Sequence, residues 1–404
     1  MKIVRVITRL NIGGPARQAV LLTARLNRSG VPSVLIAGQP ESGEGDFGVV
    51  ADAQHVSRVS IRELRRSLHP WRDAIALMKL CRLLWRERPT IIHTHMAKAG
   101  TLGRLAGLIY NRVGPGRRRG ARALLIHTFH GHVLEGYFSS WLARVFLRIE
   151  RWLAARTDCL IAVSPAIRDE LLKKGIGRPE QWRVVLLGLD LSALAGLPVP
   201  TDVAPMRIGL IGRLVPIKNP SLFVSAFDQL RRRTSPMPVE GRVVGDGPLR
   251  PSLEQEAKRL GLEPLIQFTG WQHDLRAVYQ QLEATCLTSW NEGTPVAMIE
   301  AMAAGRAVVA TDVGGVRNVL EDAEQPLPIP RGGFRATERG LLVRPGDSDG
   351  LAAALTALAE DSTLRTRLGA AARAYVVQRF SEERLCRDIT ALYASLITSE
   401  GGGT

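Results

Sequence analysis

Residues 289–311 read SWNEGTPVAMIEAMAAGRAVVAT, and the rest of the chain is best read outward from them. Two glutamates, Glu292 and Glu300, stand eight positions apart. Between them Gly293-Thr294-Pro295 has the look of a helix start, with Thr294 as N-cap and Pro295 as first helical residue, where a missing N–H costs nothing. The preceding ATCLTSW reads as a buried strand. Glu292 is therefore expected at a strand's C-terminal end, and Glu300 about two turns into the helix. The free N–H groups of Gly293, Thr294 and Val296 suit an anionic or hydroxyl-rich ligand. A sugar nucleotide has hydroxyls at both ends and phosphates between, so one carboxylate can hold sugar hydroxyls and the other the ribose diol. The same spacing also describes a capped helix carrying two incidental acids.

Strands and helices alternate on both sides of this stretch. KIVRVI, a Gly-rich turn, ARQAVLLTARLNRSG and VPSVLIA make a βαβ unit. PTIIHTH, ALLIHTFH, DCLIAVSP and WRVVLLGLD continue the pattern. Residues 191–206 carry three prolines and read as a linker. The pattern then restarts with MRIGLIG and NPSLFVSAFDQLRRR, the latter read as a helix with Asn219 as N-cap and Pro220 first. The expected fold is α/β: two doubly wound Rossmann-like domains facing a cleft, with ligands outside the carboxyl ends of the strands. Residues 1–195 form the first domain and 205–380 the second. The segment 321–340 is Pro- and Gly-rich and reads as an insertion.

Charge divides the chain unevenly. Residues 1–200 hold 31 Lys and Arg against 14 Asp and Glu, or +17; residues 201–404 hold 23 against 24, or −1. The first half is thus suited to an anionic partner. Aromatic residues are only 5% of the chain and no nucleic-acid module is recognisable, so nucleic acid is not expected. Four widely spaced cysteines suggest free thiols in a reducing compartment. MKIVRVITRL reads as a first strand rather than a signal peptide, no run of 18 apolar residues occurs, and the expectation is a cytoplasmic protein.

Further motifs fall at strand ends. Gly13-Gly14-Pro15 lies between a strand and a helix, and Arg17 follows one turn on; a plain tight turn is the alternative. Arg213 and Lys218, in IGRLVPIKN, suit a diphosphate that gains charge as it leaves, or are surface charges. No convincing Asp-x-Asp metal pair appears. Five of the eight histidines are His93, His95, His127, His130 and His132. His93 and His95 share a strand face, though without a Cys or carboxylate at ligand spacing.

Taken in order, NIGGPARQ (11–18), HTFHGH (127–132), IGRLVPIKN (211–219), GDGPLR (245–250) and the Glu-seven-Glu stretch resemble the retaining glycosyltransferases of family four, which have the GT-B architecture. The resemblance covers nearly the whole chain. It implies a nucleotide-sugar co-substrate, read as UDP-linked, and no cofactor or metal. It places Arg213 and Lys218 on the donor diphosphate, and His130 on the donor sugar near the reacting carbon. The Gly13-Gly14 loop would lie under the donor phosphates, and Trp271 would cover the base, a core tryptophan being the alternative. A C-terminal helix, about 381–399, would cross back onto the first domain. HTHMAKAGTLGRLAG and HTFHGHVLEGYFS resemble transferases of bacterial exopolysaccharide, capsule and lipid-linked glycans, implying a glycan or polyprenyl-diphosphate-linked acceptor.

Arg117, Arg118 and Arg119 lie in a Gly/Pro loop, and Tyr137, Phe138 and Trp141 lead into a basic amphipathic helix. That pairing reads as peripheral contact with an anionic membrane, alternatively as a core helix beside a solvated loop. Two rival functions share the architecture. A non-hydrolysing sugar-nucleotide epimerase would lack the Glu-seven-Glu order. An inactive binding subunit would not be expected to keep His130, Arg213, Lys218, Glu292 and Glu300 together.

Overall fold

The computed structural model describes residues 1–11, 13–40, 47–118, 122–131, 140–200, 204–233, 238–322 and 327–401. His132, Arg119, Tyr137 and Phe138 lie outside them. The chain divides into two compact units, Met1–Leu189 with Glu382–Thr404, and Asp190–Ser381. Residues 190–195 thus go with the second unit rather than the first.

Unit 1 is built on seven strands: β1 (Ile3–Ile7), β2 (Ser33–Ala37), β3 (Arg58–Ser60), β4 (Ile91–His95), β5 (Leu124–Phe129), β6 (Cys159–Ala162) and β7 (Trp182–Val184). All pair in parallel, in the order β3-β2-β1-β4-β5-β6-β7. Its helices are α1 (Gly14–Arg28), α2 (Gly48–Ala53), α3 (Pro70–Glu87), α4 (Ala97–Val113), α5 (Ser140–Ala154) and α6 (Pro165–Lys173). Parallel strands need crossovers, and crossovers cover both faces, so the strands are apolar on both sides. Ile3, Ile91 and Ile126 pack with Leu22 of α1, whereas Val4, Ile92 and Leu125 pack with Leu80 of α3 and Ala106 of α4.

Unit 2 repeats the plan. Its strands are β8 (Met206–Ile211), β9 (Val239–Val244), β10 (Ile266–Gly270), β11 (Ala284–Leu287), β12 (Ala307–Thr311), β13 (Phe334–Ala336) and β14 (Leu341–Val343). Their order is β10-β9-β8-β11-β12-β14-β13, parallel except for β13 against β14. The helices are α7 (Ser192–Ala195), α8 (Ser221–Arg232), α9 (Arg250–Arg259), α10 (Leu275–Gln280), α11 (Val296–Ala303), α12 (Val316–Leu320), α13 (Ser348–Glu360) and α14 (Ser362–Arg379). The expected insertion supplies the antiparallel edge strand β13. The last helix, α15 (Glu382–Gly401), returns to unit 1, where Leu385, Ile389 and Tyr393 join Ile3, Leu22 and Ile126 in one core.

Strand order reverses between β1 and β4 in unit 1 and between β8 and β11 in unit 2. At such a reversal the loops leaving neighbouring strands diverge and open a crevice. The loops leaving β1 and β4 carry Gly13 and the segment after His95; those leaving β8 and β11 carry Lys218 and Glu292.

Candidate functional site

In unit 2 the loop after β8 and the loop after β11 are tied together. Trp290 donates its backbone N–H to the Ile217 carbonyl at 2.9 Å, and the Thr288 hydroxyl donates to the Lys218 carbonyl at 2.8 Å. These bonds bring the Lys218 ammonium to Glu292, Nζ to Oε1 at 2.6 Å. The Ser289 hydroxyl donates to the same oxygen at 2.6 Å. Glu292 is only 6% exposed, so its charge needs such partners. With both donors on Oε1, Oε2 is left for a ligand hydroxyl.

A third loop braces Glu292 from behind. Gly314 has φ +50°, and a Cβ there would stand 2.0 Å from the Glu292 carbonyl oxygen. Gly315 donates its N–H to that oxygen at 3.0 Å. The Thr311 hydroxyl donates to the Ser289 carbonyl at 2.7 Å. Only glycine combines the left-handed backbone with so close an approach. The sequence reading missed Ser289, Gly314 and Gly315, although Ser-x-x-Glu at 289–292 was there to be seen.

The helix start differs from expectation. α11 begins at Val296 with Pro295 as N-cap (φ −80°, ψ 82°), and no side chain caps it. The Thr294 hydroxyl is buried without a partner. Pro295 cannot donate, so the chain stays irregular until Val296. Among the described residues the backbone N–H groups of Gly293, Thr294, Val296, Ala297 and Met298 have no backbone partner, a run of open donors beside Glu292. Glu300 accordingly lies just over one turn into α11, not two. It is buried, and the Tyr279 hydroxyl reaches its Oε2 at 3.5 Å and the Ala297 carbonyl at 2.9 Å. No sequence signal pointed to Tyr279, which comes from α10.

Arg213 is exposed at the end of β8, with no side-chain partner among the described residues. Asn219 does not cap α8. It adopts a left-handed conformation (φ 46°) after the short 3-10 turn Pro216–Lys218, and α8 starts at Ser221. The GDGPLR junction packs backbone against backbone, since a Cβ on Gly245 would lie 1.9 Å from the Gly212 carbonyl oxygen. Trp271 follows β10 with half its surface exposed and is not a core residue.

In unit 1 the histidines separate onto two faces. His127 pairs in register with Thr94, accepts or donates across Nδ1–Oγ1 at 2.8 Å, and lies under α4. A Cβ on Gly100 would stand 2.4 Å from its ring. His93 and His95 occupy the opposite face with rings stacked at 4.3 Å, and His95 Nδ1 meets His130 Nε2 at 2.9 Å. Among the described residues no group of three or more His, Cys, Asp or Glu side chains is placed to hold a metal ion.

A buried chain of hydrogen bonds orients these rings. Arg5 donates to the Thr23 hydroxyl and to the Tyr393 hydroxyl, both at 3.0 Å. Tyr393 therefore turns its own proton to His93 Nδ1, at 2.6 Å. His93 Nε2–H then donates to the Thr128 hydroxyl at 2.7 Å. His95 Nε2 is buried without a partner. An orphaned acceptor is tolerated better than an orphaned N–H, so His95 carries its proton on Nδ1 and donates it to His130 Nε2. His130 is left with its proton on Nδ1. Burial pushes its pKa down to about 3, so at neutral pH it is an uncharged ring offering one N–H. Burial likewise holds His93 and His95 well below the ordinary histidine range, helped by Arg5 and by the neighbouring rings.

Met96 links His95 to α4 at φ 67° and ψ 159°, a region other residues leave to glycine. Gly13, by contrast, is extended (φ 170°, ψ 165°) and caps α1 without a side chain. A Cβ there would meet only Pro15 at 3.9 Å, so packing places no demand for glycine at this point. Gly14 is the first residue of α1, and Arg17 is half-buried on it. Arg117 ends a short 3-10 turn and Arg118 follows it, both exposed. Trp141, on the first turn of α5, is 63% exposed.

Two Rossmann-like units with site loops at their reversal points define a nucleotide-binding class of enzyme. The model of glycosyl transferases group 1 matches residues 205–361, and that of a glycosyl transferase 4-like domain matches 13–188. The chain belongs to the group 1 glycosyltransferases, with the GT-B fold. It is 25% identical to the UDP-Gal:α-D-GlcNAc-diphosphoundecaprenol α-1,3-galactosyltransferase of Escherichia coli, over 83% of each chain. It is 25% identical to the putative glycosyltransferase EpsD of Bacillus subtilis, over 82% of this chain and 83% of that one. Among solved structures it is similar to Anabaena HepE in complex with UDP, with a TM-score of 0.77 and 22% identity, over 98% of this chain and 100% of that one.

Proposed function

We propose that the protein transfers a sugar from a UDP-sugar to a lipid-linked glycan acceptor at the cytoplasmic membrane face, in bacterial surface polysaccharide synthesis, with retention of anomeric configuration. The observation that carries this reading is Glu292. It is buried, paired with Lys218 at 2.6 Å, and flanked by the open N–H groups at the start of α11. Its free Oε2 suits a donor hydroxyl, while Lys218 and exposed Arg213 supply positive charge for a departing diphosphate. In this reading Glu300 holds the ribose diol, Trp271 covers the uracil, and Gly13 and Gly14 leave room under the phosphates. The neutral His130 donates its Nδ1–H to the donor sugar. Because two side-chain cations neutralise the leaving group, the reaction proceeds without a metal ion.

The acceptor assignment is supported by the galactosyltransferase relative, whose name specifies a diphosphoundecaprenol-linked sugar. The UDP assignment is supported by that relative and by HepE.

The test has two stages. UDP, GDP and ADP are compared by thermal shift, with UDP expected to stabilise most through ligand linkage. Transfer is then followed by NMR in EDTA with a diphosphoprenyl-linked acceptor. An α-linked product from an α-linked donor is expected. An inverted product, or turnover only with added divalent metal, refutes the mechanism; interconversion of the free sugar nucleotide without transfer points to an epimerase.

A further inference from the structure

The most unusual surface lies on unit 1, on the sheet face covered by α3, α4 and α5. α3 is amphipathic in two senses. Its inner stripe, Ala76, Leu80 and Leu84, is buried against the sheet. Its outer stripe, Trp71, Ile75, Met78 and Trp85, follows helical spacing and faces solvent, with Trp71 79% exposed. α5 repeats the arrangement with Trp141, Val145, Ile149 and Trp152, all exposed. Isolated exposed apolar residues need no explanation, but two helical stripes carrying four tryptophans do.

The exposed charges on α3 and α5 themselves have one sign, although Lys79 pairs with Glu63 and Arg86 with Glu87. On α3 the exposed ionisable residues are Arg72, Lys79, Arg82 and Arg86, while its acids are drawn inward, Asp73 to Lys98 and Glu87 to Lys2. On α5 the exposed ionisable residues are Arg144, Arg148 and Arg151, and Glu150 is turned in to the buried Arg104. Exposed Arg112, Arg117 and Arg118 lie at the end of the intervening α4. Trp85 packs on this end, since a Cβ on Gly114 would stand 2.2 Å from its indole nitrogen. The Arg156 guanidinium lies 4.2 Å over the Trp152 ring.

From these observations we infer that the α3–α5 face is a docking surface for an anionic lipid bilayer. Tryptophan rings and long arginine side chains are the residues that settle at a headgroup boundary, rings inward and guanidinium groups at the phosphates. The absence of exposed acids on α3 and α5 is the complementarity such a surface requires. Tyr137 and Phe138 lie outside the described residues, within which the α3 and α5 stripes supply the apolar element of the contact.

Topology also orients the face. Helices that cross over between parallel strands run antiparallel to them, so the first turns of α3 and α5 lie at the strands' carboxyl edge. Trp71 and Trp141 are in those first turns, at the same edge as His130 and Gly13. A bilayer seated on the stripes therefore approaches the edge of unit 1 that carries the site. The inference deepens the lipid-linked-acceptor reading, and its binding test is independent of transfer.

The experiment uses the full chain with vesicles of phosphatidylglycerol and phosphatidylethanolamine, against phosphatidylcholine alone, at low and high salt. Sedimentation with the anionic vesicles only, weakened by salt, is expected. Brominated lipids should quench the tryptophan fluorescence, and replacing Trp71, Trp85, Trp141 and Trp152 together by Phe should remove most of that quenching. Arg82→Gln with Arg148→Gln should lower vesicle affinity by about 25-fold, at roughly fivefold per charge. Transfer to a soluble acceptor analogue should be unchanged in these variants, while KM for the lipid-linked acceptor rises. No anionic-vesicle binding, or binding without quenching, overturns the inference even if transfer activity is intact. Self-association through this face, or binding of an oligonucleotide in preference to vesicles, overturns it in favour of another occupant. Vesicle binding by a chain that transfers no sugar upholds the surface and overturns the proposed activity instead.

Discussion

Mild acid should destabilise unit 1 more than unit 2. His93, His95 and His127 are all buried in unit 1. Burial is the main cause that holds each ring well below its ordinary pKa, reinforced by Arg5 and the neighbouring rings at His93 and His95, and by Arg104 at His127. In the unfolded chain each ring titrates near 6.5. Below that pH the unfolded state binds protons that the folded state refuses. The stability that comes from keeping the rings neutral is therefore complete above about pH 6.5 and falls as pH drops through it. Each ring loses about 1.4 kcal/mol per pH unit once the unfolded form is protonated. From pH 7.5 to 5.5 the three together remove about 4 kcal/mol, a large part of the roughly 5–15 kcal/mol that holds a domain. Half-buried His130 has the same sign and would add to this loss. In unit 2 the only histidine is exposed His273, and burial raises the Glu321 pKa, which does not weaken that unit on acidification. Hydrogen exchange in urea, resolved by peptide at pH 7.5, 6.5 and 5.5, reads each unit separately. An unfolding midpoint for β4 and β5 that does not move between pH 7.5 and 5.5 would refute the reasoning.

Six substitutions at five positions probe the site directly. Glu292→Ala and Lys218→Ala should each lower kcat on the order of 10²–10³, with near-native circular dichroism. Lys218→Ala leaves the buried Glu292 carboxylate with only the Ser289 hydroxyl, so it should also lower the stability of unit 2, measured by urea unfolding. Glu300→Ala should chiefly weaken UDP binding, seen as a smaller thermal shift than the parent's; an unchanged shift removes Glu300 from the nucleotide. Gly314→Ala puts a Cβ into the Glu292 carbonyl oxygen and should lower both stability and turnover, and full activity would show that the loop does not brace Glu292. His95→Ala should cut kcat about tenfold or more at unchanged KM for the donor, on the scale of lost catalytic positioning. His95→Gln, whose amide can donate to His130 Nε2, should restore part of it, whereas equal activity of Ala and Gln variants would deny His95 an orienting role.

Much of the fold could be read from local pattern. Apolar strands such as ATCL and AVVAT, separated by helices and Gly-rich turns, specify parallel sheets covered on both faces, because that pattern buries no other way. Placing Glu292 after a strand and Lys218 after another needed only that alternation. The helix start at 294–296 misled because Thr-Pro satisfies the usual cap rule, and Pro295 instead took the cap position itself.

The amino-acid sequence by itself determined the doubly wound pattern, the two-part division, the charge excess of the first half and Glu292 and Lys218 as candidates, since each is written in spacing or composition over a few tens of residues, whereas His130 was singled out only by the resemblance of HTFHGH to a known family. The tertiary structure decided which groups meet. Lys218 and Glu292 are 74 residues apart and His93 and Tyr393 are 300 apart, yet both pairs close to 2.6 Å. Strand order put Lys218 beside Glu292 by making β8 and β11 neighbours, and the return of α15 brought Tyr393 to the histidines. Likewise, periodicity marks α3 as helical, but with apolar residues on both its inner and outer stripes, only packing against the sheet determines which stripe is buried and which faces solvent.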